Sequence, residues 1–574
     1  MRMQLILEFR EVFNEEPKEL SDYLDGISRS TVLQIGTHFL SAYNNPSQLG
    51  DSKSFLETFF RRENLEFAND VYQKTRRLEQ EYGVVQIVSI HSSLRLFEYS
   101  YEHLDENEIQ TGVKAEVNIF KAYLLLNQQY TQKEGLTDRL TKGSTKILEW
   151  AEEFVTHEFA YSELINFSKS ILISTQIIKA IYLFEFLENN SQYHTLLNKF
   201  VITFDCSDWK DYLKKFISII ALILNKDRSG HLTLNISKND NYVRNCAFLE
   251  QLTLNQDTNA SDIDFRHLRS NPLYKRGEGE YQIIFDKFVF EKIFKGLYFH
   301  LNQINSTLHS DKIQNLRSFW GNEYSEKVLL YSILEKTYED RYIKFSGEQI
   351  RVTGIIAEPD YYIRNGNKIF LFESKDIMIK AEVKTSFDFQ KIENELKRKL
   401  YFDQVEGKVK NKAVLQLINN VKRVLTKSFP FDDRYRENSV RIYPILVLHD
   451  HQFNLAGLNI LINNWFQTEL KTLCKNGLNI SKVRPLTIID IDTLIFHQDR
   501  FRVRQTSLDT LIESYHKCTT FNPKKTNSSI EKKREYLLGV LHPFSTYLSE
   551  FYYNRGVRRP PPKILSEKGF SLFK

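Results

Sequence analysis

The dipeptide Asn365-Gly366 joins two β-rich runs, and this junction constrains the fold more than any other local feature of the chain. The flanking runs are RVTGIIAEPDYYI and KIFLFESKDIMI. Asn-Gly between apolar runs is the strongest short-range signal for a two-residue β-hairpin turn, because both residues tolerate positive φ. The sequence therefore predicts an antiparallel hairpin here, and with it a sheet.

The predicted turn decides which side chains share one face of the hairpin. If these two residues form the turn, Asp360 lies opposite Leu371. Side chains alternate along a strand, so Glu373 and Lys375 share the face of Asp360, while the two Phe side chains of that strand point into the core. A three-residue loop would shift the pairing by one and turn Asp360 away. With the two-residue turn, two carboxylates and one ammonium group converge.

Such a trio suits phosphodiester hydrolysis. Two carboxylates supply hard oxygen ligands for Mg²⁺ or Mn²⁺, and the ion stabilises the charge that develops on the phosphate. We expect Asp360 and Glu373 to hold the metal, and Lys375 to position or deprotonate the attacking water. No covalent enzyme intermediate is required.

The motif Pro359-Asp360, followed after twelve residues by Glu373-Ser374-Lys375, resembles the PD-(D/E)xK (restriction-endonuclease-like) nuclease superfamily. The core of that superfamily runs helix, three strands, helix, strand, and residues 315–500 offer candidate elements in this order. The resemblance implies an α/β domain with a central mixed sheet flanked by helices, and a Mg²⁺- or Mn²⁺-dependent endonuclease that cleaves DNA. An RNA-cleaving effector stays open as an alternative, as does a non-catalytic nucleic-acid or protein docking module on the same fold.

Two helices of this domain offer further site residues. Members of the superfamily often present a glutamate from the leading helix, here GNEYSEKVLLYSILEKTY, which implies Glu326 as a metal ligand with Glu323 as the alternative. Several families place a glutamine on a later helix near the scissile phosphate, which implies Gln416 as an auxiliary catalytic residue. A solvated surface is the plain alternative for all three. The later helix carries a polar stripe at helical spacing, formed by Lys412, Gln416, Asn420 and Arg423.

The remaining strands of the domain are predicted from apolar runs. VRIYPILVLHD and RPLTIIDIDTLIF have the continuous apolar character of strands buried on both faces, and AGLNILINNWFQTELKTL between them has helical periodicity. The sequence therefore predicts a strand, a helix and a second strand after the polar-stripe helix.

The length of 574 residues requires several domains, because single hydrophobic cores stop growing near ~250–300 residues. Apolar residues recur at helical spacing through residues 1–200, which predicts a helical domain. Residues 201–314 are expected to form a mainly helical connecting domain that includes a helix over Tyr281–Leu301. Residues 315–500 are the expected nuclease domain, and residues 501–574 a basic helical or tail region. The expected fold class is thus multidomain, with a largely α-helical N-terminal half.

Charge and cysteine content limit the partners and the compartment. The net charge of +5 does not by itself indicate a nucleic-acid partner, but residues 501–574 hold 14 basic against 6 acidic residues. This region suits contact with phosphates, with a solvated tail as the alternative. Four scattered cysteines without a CxxC pair favour a reducing cytoplasm, and the best apolar run, Phe216–Leu224, is too short to span a bilayer. A P-loop motif is absent from the sequence.

The large helical extension is similar to the added regions of bacterial restriction-like and anti-phage effector proteins. That analogy implies a nuclease used in defence against foreign DNA, with activity that depends on a trigger. The expected partners are DNA, with RNA as the alternative, and a protein partner or a second copy of the chain bound through the N-terminal helical region.

Overall fold

The computed structural model describes residues 5–42, 51–134, 146–225, 232–255, 261–405, 408–527, 530–557 and 560–573. The chain divides into two units, and each is built from discontinuous stretches. Residues 142–194 and 305–574 form one unit, here called the mixed-sheet unit, and residues 2–141 and 195–304 form the helical unit. The sequence does not predict this interleaving, because its four predicted segments are contiguous.

A five-stranded mixed sheet lies in the mixed-sheet unit. Seven strands are described there in chain order: β1 (Ile343–Ser346), β2 (Tyr361–Asn365), β3 (Lys368–Lys375), β4 (Phe402–Val405), β5 (Lys408–Asn411), β6 (Arg441–Leu448) and β7 (Thr487–Asp490). The sheet has the order β7-β6-β3-β2-β1, and β4 and β5 form a separate antiparallel hairpin. β1 pairs with β2, and β2 with β3, in antiparallel orientation. β3 pairs with β6, and β6 with β7, in parallel orientation.

The hairpin between β2 and β3 turns one residue later than predicted. The two turn residues are Gly366 and Asn367, and Gly366 has a φ of +58° at the first position, where a type II′ turn takes glycine. Leu371 therefore pairs with Tyr362, and the prediction that Asp360 lies opposite Leu371 is wrong. Moving the turn by one residue shifts the pairing by two, so each side chain keeps its predicted face.

Four helices position the sheet and its site: α1 (Phe319–Leu330), α2 (Phe389–Leu400), α3 (Ala413–Leu425) and α4 (Leu458–Lys475). α1 is π-helical, is preceded by a short turn over Leu316–Ser318 and continues as the α-helix Tyr331–Thr337. The other helices described in this unit are Ile147–Glu158, Ser162–Ile165, Lys169–Asn189, Gly347–Arg351, Ala381–Lys384, Ile491–Phe501, Leu508–Cys518, Ile530–Leu541, Phe544–Tyr553 and Lys563–Leu572, with 3₁₀ turns at His451–Phe453, Ile480–Lys482, Arg504–Thr506 and Pro523–Asn527.

Both faces of β3 are buried, and not only the face that carries the Phe side chains. Ile369 and Leu371, on the face of Glu373 and Lys375, are fully buried in the core that includes apolar residues of α3 and α4. On the other face, the rings of Phe370 and Tyr443 stack with centroids 5.0 Å apart. Charged side chains are therefore confined to the two ends of the strand, with Lys368 at its start and Glu373 and Lys375 at its carboxyl end.

Two predicted elements differ from the observed ones. The run RPLTIIDIDTLIF is a strand only up to Asp490, whose carboxylate caps the helix Ile491–Phe501 by accepting a hydrogen bond from the Thr493 amide. The predicted helix over Tyr281–Leu301 includes most of the strand Glu280–Ile283, followed by the helices Asp286–Glu291 and Leu297–Ser306.

The basic C-terminal region was predicted to be helical or a tail. Its described residues form helices, with Tyr515, Phe544 and Tyr552 buried. Residues 528–529 and 558–559, which belong to its two basic stretches, lie outside the described residues.

The helical unit confirms the prediction of a mostly helical N-terminal half. Its described helices are Phe9–Val12, Leu20–Leu24, Arg29–Ala42, Ser52–Phe59, Leu65–Tyr82, Ile90–His103, Gly112–Glu134, His194–Thr203, Trp209–Asn225, Tyr242–Glu250, Arg266–Ser270, Asp286–Glu291 and Leu297–Ser306, with a 3₁₀ turn at Arg62–Asn64. It also contains two small sheets, one of Leu5–Ile6 with Val85–Gln86 and one of Thr233–Asn235, Glu280–Ile283 and Leu273–Gly277. The 3₁₀ turn Ser191–Tyr193 belongs to the mixed-sheet unit.

One helix of the described chain, Lys169–Asn189, is long and apolar enough to cross a membrane by length and composition alone. Most of its apolar stretch is buried inside the protein, as in the core helix of a globular unit. It is a longer apolar segment than Phe216–Leu224, which the sequence analysis takes as the best one. All four cysteines are free thiols.

Candidate active site

Asp360, Glu373 and Lys375 meet at the carboxyl end of β3. The Lys375 Nζ lies 2.6 Å from Glu373 Oε1 and 3.9 Å from Asp360 Oδ2. The backbone amide of Ser374 donates a hydrogen bond of 2.6 Å to Asp360 Oδ2, which holds that carboxylate against the strand. The Glu373 side chain is fully buried, whereas those of Asp360 and Lys375 are 15% and 22% exposed. The trio therefore has one buried member and two that reach solvent.

Burial and mutual repulsion keep these carboxylates from ionising easily. Burial and, to a lesser extent, the neighbouring Asp360 carboxylate raise the pKa of Glu373 to about 8, against the opposing effect of Lys375. Burial also raises the pKa of Asp360, although Lys375 and the Ser374 amide favour its ionised form. Burial alone would lower the pKa of Lys375, but Glu373 and Asp360 hold it above its ordinary value. The lysine therefore remains an ammonium group at neutral pH.

One oxygen of Glu373 shows that these residues fit a divalent cation. Its Oε2 is buried and has no hydrogen-bond partner in the structure, while Oε1 is bonded to Lys375. A buried carboxylate oxygen without a donor is costly and rare. Mg²⁺ and Mn²⁺ prefer carboxylate oxygens, and a bound ion would both satisfy this atom and offset the repulsion between the acidic groups.

The helix α1 brings a third carboxylate, Glu326, to the trio. Its Oε1 accepts a hydrogen bond of 3.2 Å from the hydroxyl of Tyr331. Burial and, to a lesser extent, the charge of Asp360 raise the pKa of Glu326 to about 7. The alternative residue, Glu323, instead bonds Lys327 at 3.0 Å with its side chain nearly half exposed. Of the two glutamates, Glu326 is the one that interacts with the trio.

Asp376, the residue after Lys375, ties this helix to β3. Its Oδ2 accepts a hydrogen bond of 2.6 Å from the hydroxyl of Ser325, and its Oδ1 accepts one of 2.6 Å from Arg317. Because Ser325 directly precedes Glu326, the tie fixes where that carboxylate enters the site. Asp376 was not predicted from the sequence, where its position one residue beyond the motif was the only signal for it.

Two other contacts hold the segment that precedes Asp360. Arg423 of α3 donates hydrogen bonds to the carbonyl oxygens of Ile356 and Ala357, at 2.5 and 2.8 Å. Ala357 has a φ of +56°, a conformation that non-glycine residues rarely adopt and that the surrounding structure must hold. Gly347 donates its amide to the Asp360 carbonyl at 2.9 Å. The entry to the motif is thus strained and clamped from both sides.

The polar stripe of α3 is only partly a solvated face. Asn420 is fully buried and accepts a hydrogen bond from Arg423 at 2.8 Å, so these two residues are structural. Gln416 is half-buried on the helix that packs against β3. Within the described chain, no hydrogen bond joins the Gln416 side chain to the trio. Lys412 precedes the helix, and Lys375 is one of the charges that lower its pKa, after burial and Lys410.

Ser374, between the two motif residues, contacts the end of β6. Its hydroxyl lies 2.8 Å from Nε2 of His449, and burial lowers the pKa of His449 to about 4, so this imidazole is neutral at pH 7. The pair adds a neutral link on the face of β3 opposite to Glu373 and Lys375. The sequence analysis did not connect these two residues, because they are far apart in the chain.

No family model, curated protein or solved structure matches this chain.

Proposed function

We propose that this protein is a Mg²⁺- or Mn²⁺-dependent nuclease that hydrolyses phosphodiester bonds in DNA. The observation that carries the proposal is the buried, unpartnered Oε2 of Glu373 beside Asp360 and Lys375. A cluster that repels its own negative charge and leaves a carboxylate oxygen unbonded is suited to holding a cation. Its lysine then lies beside that cation, where a phosphate would approach.

Each residue of the cluster has a distinct role in this proposal. Asp360, Glu373 and Glu326 would hold the ion through carboxylate oxygens. The ion, when bound, supplies Lewis-acid stabilisation of the phosphate charge and favours hydroxide formation at neutral pH. Lys375 is protonated, so its Nζ has no lone pair to accept a proton. The lysine therefore orients the attacking water or a phosphate oxygen by donating hydrogen bonds, rather than acting as a base.

The order of elements supports the same proposal. From α1 onward, the chain gives a helix, the three sheet strands β1 to β3, the helix α3 and the sheet strand β6, and the trio lies at the exit of β3. The short helix Gly347–Arg351 is inserted after β1, and the helices Ala381–Lys384 and α2 with the β4–β5 hairpin are inserted before α3. Apart from these insertions, this is the order that the resemblance to PD-(D/E)xK nucleases implies. Regulation by the helical unit, through a protein partner or a second copy, and use in defence against foreign DNA belong to the proposal, because an unregulated nuclease would damage its own host.

Cleavage assays test the proposal. The full chain is incubated with supercoiled plasmid DNA, and separately with single-stranded RNA, in Mg²⁺, in Mn²⁺ or in EDTA. We expect DNA cleavage that requires the ion and falls at least ~100-fold in Asp360→Ala and Lys375→Ala, the loss typical for a positioned proton-transfer or orienting group. Glu323→Gln is the matched control, because Glu323 pairs with Lys327 and should be dispensable.

Two results would contradict the proposal. Cleavage that survives in Asp360→Ala and Lys375→Ala would exclude the trio as its source. Cleavage of RNA with intact DNA would reassign the substrate class while leaving the site in place.

A further inference from the structure

A two-stranded hairpin, β4 with β5, stands next to the candidate active site. The hairpin begins directly after α2. At its open end, the amide of Lys412 donates a hydrogen bond of 3.0 Å to the carbonyl of Tyr401. The helix α3 follows at once and packs against β3 and β6. Lys412, at the base of the hairpin, is close enough to Lys375 for the two charges to repel each other. The base of the hairpin therefore lies beside the site.

This hairpin and the end of α2 carry a concentration of positive charge. Residues 397–412 contain six basic and two acidic residues. Lys397 and Arg398 are neutralised by Glu393 and Glu395 at 2.8 and 2.7 Å, and Lys412 lies 3.8 Å from Asp403.

Three lysines of this stretch lack an ion pair within the described part of the chain. Lys399, Lys408 and Lys410 form no ion pair with any residue that the structure describes, and Lys408 and Lys410 are exposed on β5. We call Lys399, Lys408, Lys410 and Lys412 the basic arm.

The positive charges of the arm reach the trio. Burial lowers the pKa of Lys412, and repulsion by Lys410 and by Lys375 lowers it further against the opposing effect of Asp403. Burial likewise lowers the pKa of Lys399, with added repulsion from Arg398 and Arg317. A row of ammonium groups thus extends from the exposed hairpin to the lysine of the site. An acidic cluster that must admit a polyanion needs such a row to offset its own repulsion.

We propose that the basic arm binds phosphates of the DNA backbone that flank the bond cut at the trio. The inference rests on the proposed nuclease function and names the surface that holds its substrate. Lysines that neutralise backbone phosphates release bound counterions, which gives affinity without sequence specificity. The arm therefore supplies affinity and alignment, and the trio supplies chemistry.

The test compares two double variants in DNA binding. A fluorescently labelled duplex is titrated with the full chain in EDTA, so that the proposed hydrolysis cannot proceed, over a series of salt concentrations. The arm variant is Lys408→Gln with Lys410→Gln. The control variant is Lys471→Gln with Lys475→Gln, which removes the same charge from exposed positions of α4. That end of α4 lies away from the carboxyl end of β3, which carries Lys375, because α4 runs back from the carboxyl end of β6 to the start of β7 and both strands are parallel to β3 or its neighbour.

We expect the arm variant to bind DNA about tenfold more weakly, with a slope of log affinity against log salt reduced by about 2, since each duplex phosphate contact contributes about 0.9. The control variant should bind like the wild type. In Mg²⁺, the arm variant should show a raised KM with unchanged kcat, because the trio is intact.

The outcomes separate the arm from the nuclease. An arm variant that binds DNA like the wild type, or a control variant that loses as much affinity, overturns the role of the arm alone. Weakened binding in the arm variant with cleavage that survives Asp360→Ala overturns the catalytic site and leaves the arm in place. A wild-type chain that binds only RNA or only an acidic protein overturns the DNA assignment of the arm, and a chain that binds no nucleic acid overturns both proposals.

Discussion

Glu373 combines complete burial, an acidic group and an oxygen without a donor, and this combination reduces stability unless something compensates for it. Its link to Lys375 satisfies only one of the two carboxylate oxygens. Proteins retain such costly residues at functional sites, where stability is lost in exchange for chemistry. The residue is therefore expected to have opposite effects on stability and on function.

The Tm of Glu373→Gln at two pH values tests the effect of this residue on stability. The pKa of Glu373 in the folded chain, about 8, lies above its ordinary value of 4.5. A raised carboxyl pKa contributes stability below pH 4.5 and loses it as the pH rises through 8. Glu373→Gln should therefore raise the Tm of the metal-free chain at pH 8 by roughly 2–4 °C, the shift that about 1 kcal/mol gives in a large domain. It should give no gain at pH 5.

Calorimetry in EDTA at the two pH values measures this difference, with Glu323→Gln as a control that should leave Tm unchanged at both. A Gln variant that lowers the Tm equally at pH 5 and pH 8 would show that the charge of Glu373 is fully compensated in the metal-free chain.

At the scale of elements, the tie between α1 and β3 decides whether Glu326 can join the other carboxylates. That tie depends on Asp376, which receives hydrogen bonds from Ser325 and Arg317. Groups that orient metal ligands typically matter for metal affinity nearly as much as the ligands themselves. A change in Asp376 should therefore affect metal binding without removing any ligand.

Asp376→Ala is expected to weaken Mn²⁺ binding about 10–100-fold, the usual effect of losing a group that orients ligands. Asp376→Asn retains one carbonyl oxygen for Ser325 or Arg317 and should lose less. Titration calorimetry with Mn²⁺ on the wild type and both variants gives the ranking. Wild-type affinity in Asp376→Ala would mean that α1 holds its place without this tie.

The elements also show how far the sequence could predict the site. The Asn-Gly signal predicted the hairpin and the shared face of Asp360, Glu373 and Lys375, although the turn uses Gly366 and Asn367. The face was predicted correctly because the shift of two residues preserves the alternation. The helical half of RPLTIIDIDTLIF was missed, since a short apolar run has no distinguishing period and only Asp490 signals a helix start. Asp376 was missed because its partners lie about 50–60 residues away.

At the scale of the whole molecule, the site couples metal binding to the stability of the mixed-sheet unit. A divalent ion binds ionised carboxylates and so competes with protons on Glu326 and Glu373, whose pKa values are about 7 and about 8. Stabilisation by the ion should therefore grow with pH. The difference in stability between the metal-bound and the metal-free protein should be largest at the pH where the site is fully ionised.

Mg²⁺ at about 100 times its Kd should stabilise the chain by about 2.7 kcal/mol at pH 8. Far less stabilisation is expected at pH 5, where Glu326 and Glu373 are protonated. Thermal unfolding with Mg²⁺, against NaCl of equal ionic strength, measures this difference. Equal stabilisation at both pH values, or stabilisation that persists in Glu373→Gln, would place the bound ion elsewhere.

The interleaved division of the chain was beyond prediction from sequence. The way in which the C-terminal region packs was only partly predictable. Its excess of basic residues indicated a surface region, yet Tyr515 is fully buried and its hydroxyl bonds the carbonyl of His542 at 3.0 Å. Composition reports average polarity, whereas the buried aromatic side chains at helical spacing determine the packing. Regions 501–574 and 305–500 thus belong to one unit.

The most direct test of the trio as a metal site is a crystal structure of the full chain with Mn²⁺ at pH 8, with the ion located by anomalous scattering. We predict an ion bonded to carboxylate oxygens of Asp360 and Glu373 at about 2.0–2.3 Å, within the range of hard cations in oxygen sites. The bonded Glu373 oxygen should be Oε2, the atom without a partner in the metal-free chain. A Mn²⁺ ion bound elsewhere, with no density between Asp360 and Glu373, would contradict the account.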